Sequence, residues 1–288
     1  MTRKSRDDRS ALAARALVAT VAGGLVLAMY TEALAARRGG ITVVPLGSFI
    51  DHMSGYDTSR WAKADGWTNG PPFANAWRAD HVMHGATLGL QLSSVAGLGM
   101  PYSSGEYRTL GFHGYGCYEA RFKPIRQPGV VTSFFTFAGP YDNGGNGRHN
   151  EIDIEFLGYD TTSLQVNFWT NDDRYVSRNE YTVGLGFDAS AAFHNYGFRW
   201  FPGGIEWYVD GQPAYSFSDT RRTKTPKPSE SYQKIMMNVW PVDATAAGWA
   251  GTFQYQGERV AQYEWVRYDQ DSGCDFTFPG EAPQNGSP

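Results

Sequence analysis

The sequence predicts an all-β fold, an antiparallel β-sandwich of the jelly-roll type. About a dozen short hydrophobic segments recur at regular spacing, without a heptad pattern, long helical periodicity or an internal repeat. The 288 residues also include 34 Gly and 15 Pro spread along the chain, which is typical of short strands joined by turns. We therefore expect one domain of this kind over residues 36–268.

The N-terminal region differs from the rest of the chain and predicts a secretory signal peptide. Basic side chains outnumber acidic ones in residues 1–15, and an apolar run of fourteen residues, 16–29, follows. A small-x-small motif then ends at Ala35, so we assign residues 1–35 to the signal and expect cleavage after Ala35 or Ala36. A retained anchor is the alternative, but fourteen residues are few for a membrane span. We expect a secreted protein that leaves the membrane after cleavage.

The first half of the domain predicts strands separated by turn-rich segments. Residues 41–66 resemble an edge strand and a wrapping loop, and residues 66–72 have the composition of a turn. Residues 77–93 predict a hairpin with Gly85 near its turn. Two alternating segments, broken by Gly-rich turns, follow within residues 105–123.

The second half continues the series of strands. A Gly/Asn-rich loop is expected at 139–148 and an irregular, Pro-containing loop at 219–232. Asp210 and Gly211 form a two-residue hairpin signal. The tail from 269 to 288 is expected to be poorly ordered. The predicted strands are 129–137, 151–158, 164–169, 193–200, 204–209, 234–240 and 260–268.

The amino-acid composition indicates which class of molecule the protein binds. Charged residues make up 19% of the chain and the net charge is −4, which argues against a nucleic-acid partner held through phosphate contacts. Aromatic residues reach 15%, with 9 Trp and 17 Tyr. Exposed aromatic faces bind the apolar faces of sugar rings, so a carbohydrate partner is predicted, although many of these rings fit an ordinary sandwich core equally well. We expect a monomer.

The strand at residues 151–158 carries a row of acids. Acidic and apolar residues alternate strictly in it, which is the period-two pattern of a strand with one face in the core. Glu151, Asp153 and Glu155 therefore share a face. Three neighbouring carboxylates repel one another, so the row has an electrostatic cost and indicates a chemical role. A solvated acidic face or a cation site is the alternative.

Glycoside hydrolysis requires such a row, because one carboxylate attacks the anomeric carbon and one carboxylic acid protonates the departing oxygen. In retaining enzymes the two groups lie about 5–5.5 Å apart. The Cα atoms of Glu151 and Glu155 are roughly 13 Å apart on a straight strand, and side chains that lean together on a curved strand are compatible with a retaining pair. Asp153 between them would hydrogen-bond to one Glu and separate the two titrations.

Motifs along the chain carry a resemblance to a known enzyme family. They are WTNG at 67–70, WRA at 77–79, GEYRT at 105–109, GYGCYEARFKP at 114–124, SFFTFAGP at 133–140, EIDIEFLG at 151–158, QVNFWTN at 165–171, LGFDAS at 185–190, WYVDG at 207–211 and KIMMNVW at 234–240. Through these motifs, residues 49–268 resemble glycoside hydrolase family 16, and within it the bacterial lichenases, which are endo-β-1,3-1,4-glucanases.

The resemblance implies a fold and a set of roles. It implies a curved jelly roll with a sugar-binding cleft along its concave face. Glu151 would be the nucleophile, Glu155 the general acid/base and Asp153 the residue that tunes the pair, in a double-displacement reaction. The uninterrupted E-x-D-x-E spacing is the lichenase-like version, because laminarinase-type relatives insert one residue before the last Glu.

Matching positions also suggest the residues that line the cleft. Trp67 and Asn69 would lie on one rim, while Glu106 and Arg108 would hold sugar hydroxyls through charged hydrogen bonds. Glu106 and Asn238 are the firmest of these, because polar groups inside apolar strands need a partner. Trp240 is equally compatible with a core position. The other implied substrate-binding residues are Phe135, Phe137, His149, Asn167 and Trp169.

The chain departs from the lichenase pattern beside the acidic strand. Lichenases usually carry Trp-Asp immediately before the first Glu, whereas His149 and Asn150 stand here, and the preceding loop from Asn143 to Arg148 is longer. Both changes fall beside the bond to be cleaved, so they bear on which polysaccharide is the substrate.

The cysteines and the metal site differ from the family pattern as well. The cysteine pair associated with lichenases is replaced by Asn75 and Ser104, and the chain's two cysteines, Cys117 and Cys274, are either a disulfide or free thiols. Catalysis needs no cofactor. The resemblance also implies a structural calcium ion, which many relatives hold, and the candidate ligands here are Glu264 and the backbone carbonyl of Gly85.

The leading hypothesis is a secreted, endo-acting, retaining β-glucanase that hydrolyses a β-1,3/β-1,4-linked, lichenan-like glucan. The alternatives are a depolymerase of a bacterial exopolysaccharide and a transglycosylase of the same family. A non-catalytic carbohydrate-binding jelly-roll protein is a further alternative, which the presence of all three acids disfavours.

Overall fold

Two β-sheets packed against each other form the domain, as the sequence predicts. The computed structural model describes residues 37–38, 41–42, 47–171, 179–270 and 274. The predicted signal peptide lies outside the described residues, as does most of the predicted C-terminal tail. No helix in the described residues is both long enough and apolar enough to cross a membrane.

Strands dominate the described residues. The early strands are β1 (Arg37–Arg38), β2 (Ile41–Thr42), β3 (Phe49–Asp51), β4 (Trp61–Lys63), β5 (Asn75–Trp77), β6 (Val82–His84), β7 (Leu88–Ser93), β8 (Tyr102–Ser104), β9 (Glu106–Thr109) and β10 (Gly116–Lys123). The later strands are β11 (Val130–Ala138), β12 (Asn150–Leu157), β13 (Ser163–Trp169), β14 (Tyr181–Gly184), β15 (His194–Phe201), β16 (Gly204–Val209), β17 (Gln212–Ser218), β18 (Lys234–Pro241) and β19 (Arg259–Asp269). One short α-helix, α1 (Ala247–Ala250), precedes β19.

The strands form two main sheets. The smaller has the order β14-β13-β12-β11-β18-β9-β4, and the larger has the order β17-β16-β15-β10-β19-β7-β8-β5, with β3 on β19 and β6 on β7. Neighbours pair antiparallel except for β5 and β8, which are parallel. The acidic strand β12 therefore lies inside the smaller sheet between β11 and β13, so its backbone is held from both sides.

The core lies between the two sheets. Ile152, Ile154 and Phe156 of β12 point into it and are almost fully buried, together with residues such as Tyr196 and Phe198 of β15. Burying one large apolar side chain contributes about 1.5–3 kcal/mol. Because the apolar positions of β12 face this core, its acidic positions face outward on the smaller sheet.

Most predicted strands are confirmed with small changes in their ends. The hairpin at Asp210 and Gly211 is also confirmed: both residues have positive φ, 47° and 74°, between β16 and β17. This left-handed pair is the conformation of a two-residue turn whose twist matches the flanking strands.

The predicted hairpin at 77–93 is shorter than expected. Only β6 and β7 form it, with Gly85 in the connection, because a single 3-10 turn at Ala79–His81 separates Trp77 from β6. The sequence does not predict β14, which has only four residues and is mostly exposed at the edge of the smaller sheet.

The two cysteines form a disulfide, which decides between the two alternatives. Cys117 lies in β10, and its Cα is 5.5 Å from that of Cys274. Asp269 belongs to β19 rather than to a disordered tail, and β19 pairs with β10 beside Cys117. The disulfide therefore fastens the chain beyond β19 to the larger sheet.

Candidate active site

The acid row lies on the face of the smaller sheet that points away from the core. Glu151 and Glu155 are half-buried, and Asp153 is buried with 4% of its surface exposed. In the register of the sheet, Asp153 is flanked by Phe135 on β11 and by Asn167 on β13. Side chains from several strands therefore surround the three carboxyl groups on one surface.

Two adjoining cavities of about 310 Å³ and 530 Å³ meet at this row. Both are lined by the three acids together with Phe73 and Trp240. The first also includes Asn69, Glu106, Ser133, Phe135, Phe137, His149, Met236 and Asn238. The second also includes Pro71, Pro72, Gln165, Asn167, Trp169, Glu180, Thr245, Ala246 and Trp249. The acids therefore lie at the junction of a cleft that continues in two directions.

A hydrogen-bonded row of polar side chains crosses the floor of the first cavity. Ser133, Asn238 and Glu106 are direct neighbours across three strands. The Ser133 hydroxyl donates to Asn238 Oδ1 at 2.8 Å, and Asn238 Nδ2 donates to Glu106 Oε2 at 3.3 Å. Burial raises the pKa of Glu106 to about 7, against the opposing effect of Arg108 nearby. Each of these three side chains therefore has a hydrogen-bond partner within the protein.

Trp67 and Arg108 lie beside the cleft rather than in the lining of either cavity. The Arg108 guanidinium lies 4.6 Å from the centre of the Trp67 ring and 4.0 Å from the carboxylate of Glu106. Asn69 lines the first cavity and accepts a hydrogen bond at 3.0 Å from the indole N–H of Trp77. The rim is therefore fixed by packing as well as by hydrogen bonds.

His149 closes one side of the first cavity. Its ring centre lies 5.2 Å from that of Phe137 and 5.7 Å from that of Trp169. Its Nε2 contacts Glu151 Oε2. Trp240, for which cleft and core positions were both open, is only 5% exposed and packs in a small core cluster, yet it lines both cavities.

The environment separates the protonation states of the acids. The pKa of Asp153 is raised well above its usual value by burial and by the charges of Glu151 and Glu155, and Asp153 also hydrogen-bonds to Glu151. Burial raises the pKa of Glu155 to about 8, with further contributions from Glu151 and Glu180. At neutral pH the site therefore presents a proton on Glu155 beside the hydrogen-bonded carboxyl of Glu151.

The sequence patterns do not predict several of the residues that line the two cavities. Phe73 stacks on Trp240 with ring centres 3.9 Å apart, and Trp249 donates to Gln165 Oε1 at 2.9 Å. Gln165 shares its strand face with Asn167, so the period-two pattern of β13 could have identified it. Glu180 carries no sequence signal, because it comes from a connection outside the predicted strands. The missed residues are Pro71, Pro72, Phe73, Ser133, Gln165, Glu180, Met236, Thr245, Ala246 and Trp249.

The candidate calcium ligands do not form a recognisable cation site. Gly85 and Glu264 flank the same end of the β7–β19 pair, which terminates at Leu88 and Tyr263. However, Glu264 accepts a hydrogen bond at 2.5 Å from Arg121, so a cation already faces this carboxylate. No cluster of three or more His, Cys, Asp or Glu side chains suited to a metal occurs in the described residues. Calcium binding by Glu264 and Gly85 stays a prediction.

Comparison with known proteins identifies the family. The sequence profile of the glycosyl hydrolases family 16 matches residues 69–266. The chain is a member of this family. A β-glucanase of Bacillus subtilis (strain 168) is 41% identical to it over 223 residues, which cover 77% of this chain and 86% of that protein. The predicted resemblance is thus confirmed, and the chain is a glycoside hydrolase of the β-glucanase-like type.

Solved structures of similar sequence share its jelly-roll fold. A prokaryotic β-1,3-1,4-glucanase (lichenase) derived from a mouse hindgut metagenome is 39% identical, with a TM-score of 0.71 over 78% of this chain and 100% of that one. The Bacillus licheniformis β-glucanase is also 39% identical, with a TM-score of 0.69 over 78% of this chain and 99% of that one. The predicted fold class is therefore confirmed.

The position of Glu180 in this family 16 hydrolase leads to a prediction about pH dependence. Its charge helps to raise the pKa of Glu155, so Glu180→Gln removes a like charge and lowers that pKa. If Glu155 must be protonated, activity is lost as pH rises through its pKa. The alkaline limb of the kcat/KM profile should then move to lower pH by about 0.5–1 unit.

The measurement is kcat/KM between pH 5 and 10 for the native protein and for Glu180→Gln. Glu258→Gln is the matched control, because Glu258 is exposed and distant in sequence from the acid row. An alkaline limb that stays in place in Glu180→Gln, or moves upward, would contradict this account of Glu155.

Proposed function

We propose that this protein is a secreted, endo-acting, retaining β-glucanase that hydrolyses β-1,3/β-1,4-linked glucan by double displacement. The observation that carries the proposal is the asymmetry of the acid row. Glu155 has a pKa raised to about 8, whereas Glu151 is hydrogen-bonded by Asp153 and contacted by His149. One strand face therefore offers a proton donor and a nucleophile, the two groups that a retaining glycosidase needs.

The reaction proceeds in two steps. In the first, a Glu151 oxygen forms an ester bond to the anomeric carbon while Glu155 gives its proton to the departing oxygen, and the glycosidic C–O bond breaks. In the second, the Glu155 carboxylate takes a proton from water, and the water oxygen attacks the same carbon and releases Glu151. The protonated Asp153 stabilises the carboxylate of Glu151 whenever that group is free.

The shape of the cleft supports endo action. Cavities of about 310 Å³ and 530 Å³ extend from the acids in two directions, so sugars on both sides of the cleaved bond can be accommodated. Aromatic rings such as Phe73, which stacks on Trp240, and Trp169 offer faces for sugar rings, while Asn167 and Glu106 offer polar groups for hydroxyls. In this proposal Asn69, Phe135, Phe137, His149 and Asn238 complete the walls, while Arg108 and Trp67 stand beside the cleft, where they pack on each other.

Two observations support secretion. The basic segment, apolar run and small-x-small motif of residues 1–35 have the pattern of a signal peptide. The disulfide between Cys117 and Cys274 is independent of that pattern, and such bonds persist in oxidising compartments outside the cytosol.

The relatives suggest the substrate, and the residues beside Glu151 suggest a second candidate. Both structural relatives are β-glucanases, one of them a β-1,3-1,4-glucanase by name. His149 and Asn150 stand where lichenases carry Trp-Asp, and His149 lines the cavity next to Glu151. The second candidate is therefore a depolymerase of a bacterial exopolysaccharide with similar β-1,3 and β-1,4 bonds.

The test is the release of reducing ends from mixed-linkage β-glucan, pure β-1,3-glucan, xyloglucan and a bacterial exopolysaccharide. We expect the mixed-linkage glucan to be cleaved fastest, with a rapid fall in viscosity because endo cleavage shortens chains from within. Activity on the exopolysaccharide alone would favour the second candidate. Binding of a polymer without cleavage of any would contradict both and favour a carbohydrate-binding role.

A further inference from the structure

His149 extends the acid row by one position. It stands immediately before β12, and its contacts with Glu151, Phe137 and Trp169 place its side chain on the side of the sheet that carries the acid row. Its Nε2 contacts Glu151 Oε2, and the two side chains are only 15% and 18% exposed. The contact is therefore largely sheltered from water. A hydrogen bond to a carboxylate is stronger in such a sheltered environment than in water.

Packing holds the imidazole in this position. Its ring is flanked by the rings of Phe137 on β11 and Trp169 on β13, the two residues that pair with Glu151 across the sheet. The aromatic neighbours restrict rotation of the ring, so its Nε2 stays directed at Glu151.

The backbone beneath the imidazole is also fixed. Asn150 is buried, and its Oδ1 accepts a hydrogen bond at 3.0 Å from the backbone N–H of Asn171. Its Nδ2 donates at 3.2 Å both to Asn146 Oδ1 and to the carbonyl of Arg148. These bonds tie the start of β12 to the loops on either side, so the chain at His149 has little freedom to shift.

We propose that His149 is a positioning residue for the nucleophile of this enzyme. Its Nε2–H donates to a Glu151 oxygen and, together with the hydrogen bond from Asp153, keeps the carboxylate directed at the anomeric carbon. The proposal rests on the proposed role of Glu151. The proton is placed on Nε2 because a carboxylate only accepts hydrogen bonds.

Other charged groups around the imidazole come from three elements. On β12, the strand that His149 precedes, they are Glu151 and Asp153. Across the row, beside Phe137, Lys234 of β18 forms an ion pair with Asp142 at 3.3 Å. Glu180 lies near Trp169 in the lining of the second cavity. The positive Lys234 is paired, so His149 is the donor that contacts Glu151 from this side.

Two substitutions distinguish the effect of the His149 N–H donor from the effect of its aromatic ring. His149→Phe keeps an aromatic ring between its neighbours but removes the N–H, whereas His149→Gln keeps an N–H donor of similar reach. We expect His149→Phe to lower kcat/KM by about 10- to 100-fold, mainly through kcat, which is the range that a hydrogen bond to a charged group corresponds to. His149→Gln should lose several-fold less.

Rescue by the conservative variant supplies a readout that a packing role would not give. His149→Gln keeps an N–H donor but loses the ring, so it should retain most of the native kcat, whereas His149→Phe keeps the ring and should not. Equal losses in the two variants, or a change in KM alone, would overturn the proposal.

A separate measurement tests the role of Glu151 itself. A 2,4-dinitrophenyl 2-deoxy-2-fluoro-β-cellobioside should label the native enzyme, and peptide mapping should place the label on Glu151. A label elsewhere would overturn the proposed function, whatever the His149 variants do. A label on Glu151 that forms as fast in a folded His149→Phe as in the native enzyme would overturn only the positioning role. Thermal unfolding of each variant verifies that it is folded.

Discussion

Replacing Glu151 with Gln is expected to lower kcat on mixed-linkage β-glucan by about 10⁴- to 10⁶-fold, the range seen when a nucleophile is removed. The amide has nearly the same shape, so the cleft and the core face of β12 remain, but it cannot form the ester to the anomeric carbon. Loss of activity with retained binding of the polymer is therefore the expected result. The measurement is reducing-end release together with polymer binding.

Chemical rescue makes this prediction specific to a nucleophile. Glu151→Ala leaves room beside the anomeric carbon, where added azide can attack an activated aryl β-glycoside. Direct displacement inverts the anomeric carbon, so the product should be an α-glycosyl azide. The exposed Glu258→Gln serves as the control with native activity. A loss of less than about 100-fold in Glu151→Gln, or azide rescue in a Glu155 variant only, would contradict the assignment.

Replacing Glu155 with Gln is expected to have an effect that depends on the leaving group. Cleavage of a polysaccharide needs a proton on the departing oxygen, so kcat/KM on β-glucan should fall by about 10²- to 10⁴-fold. A 2,4-dinitrophenolate departs without protonation. On a 2,4-dinitrophenyl β-glycoside, kcat/KM should therefore fall by less than about 10-fold.

The same variant should lose the alkaline limb of the pH profile. The pKa of Glu155 is raised to about 8, and the protonated form is the one that donates. Native kcat/KM on β-glucan should therefore fall as pH rises through about 8. Glu155→Gln on the dinitrophenyl substrate should show no such fall. Equal losses on both substrates would indicate damage to the fold or to binding and would contradict the acid role.

The fold class, most of the strands and the acid row can be predicted from local sequence patterns. Period-two alternation is a local property, so the shared face of Glu151, Asp153 and Glu155 follows from their spacing alone. The hairpin at Asp210 and Gly211 could be predicted for the same reason, because the turn conformation depends on those two residues.

Contacts between residues that are distant in the sequence depend on how the strands pack. Phe73 reaches the cleft by stacking on Trp240, and Glu180 by lying in a connection that borders the second cavity. Cys117 and Cys274 are 157 positions apart, and the pairing of β10 with β19 brings them together. Neighbours that are distant in the sequence leave no local pattern.

The protonation states of the three acids also depend on the packing of the strands. The raised pKa of Asp153 and of Glu155 results mainly from burial, which the cleft walls impose, and then from neighbouring charges that include Glu180. The contact of His149 with Glu151 likewise requires Phe137 and Trp169 on adjacent strands. The spacing of residues along β12 therefore places the three carboxyl groups on one face. Their burial and the neighbouring charges, which come from several strands, determine which of them is protonated.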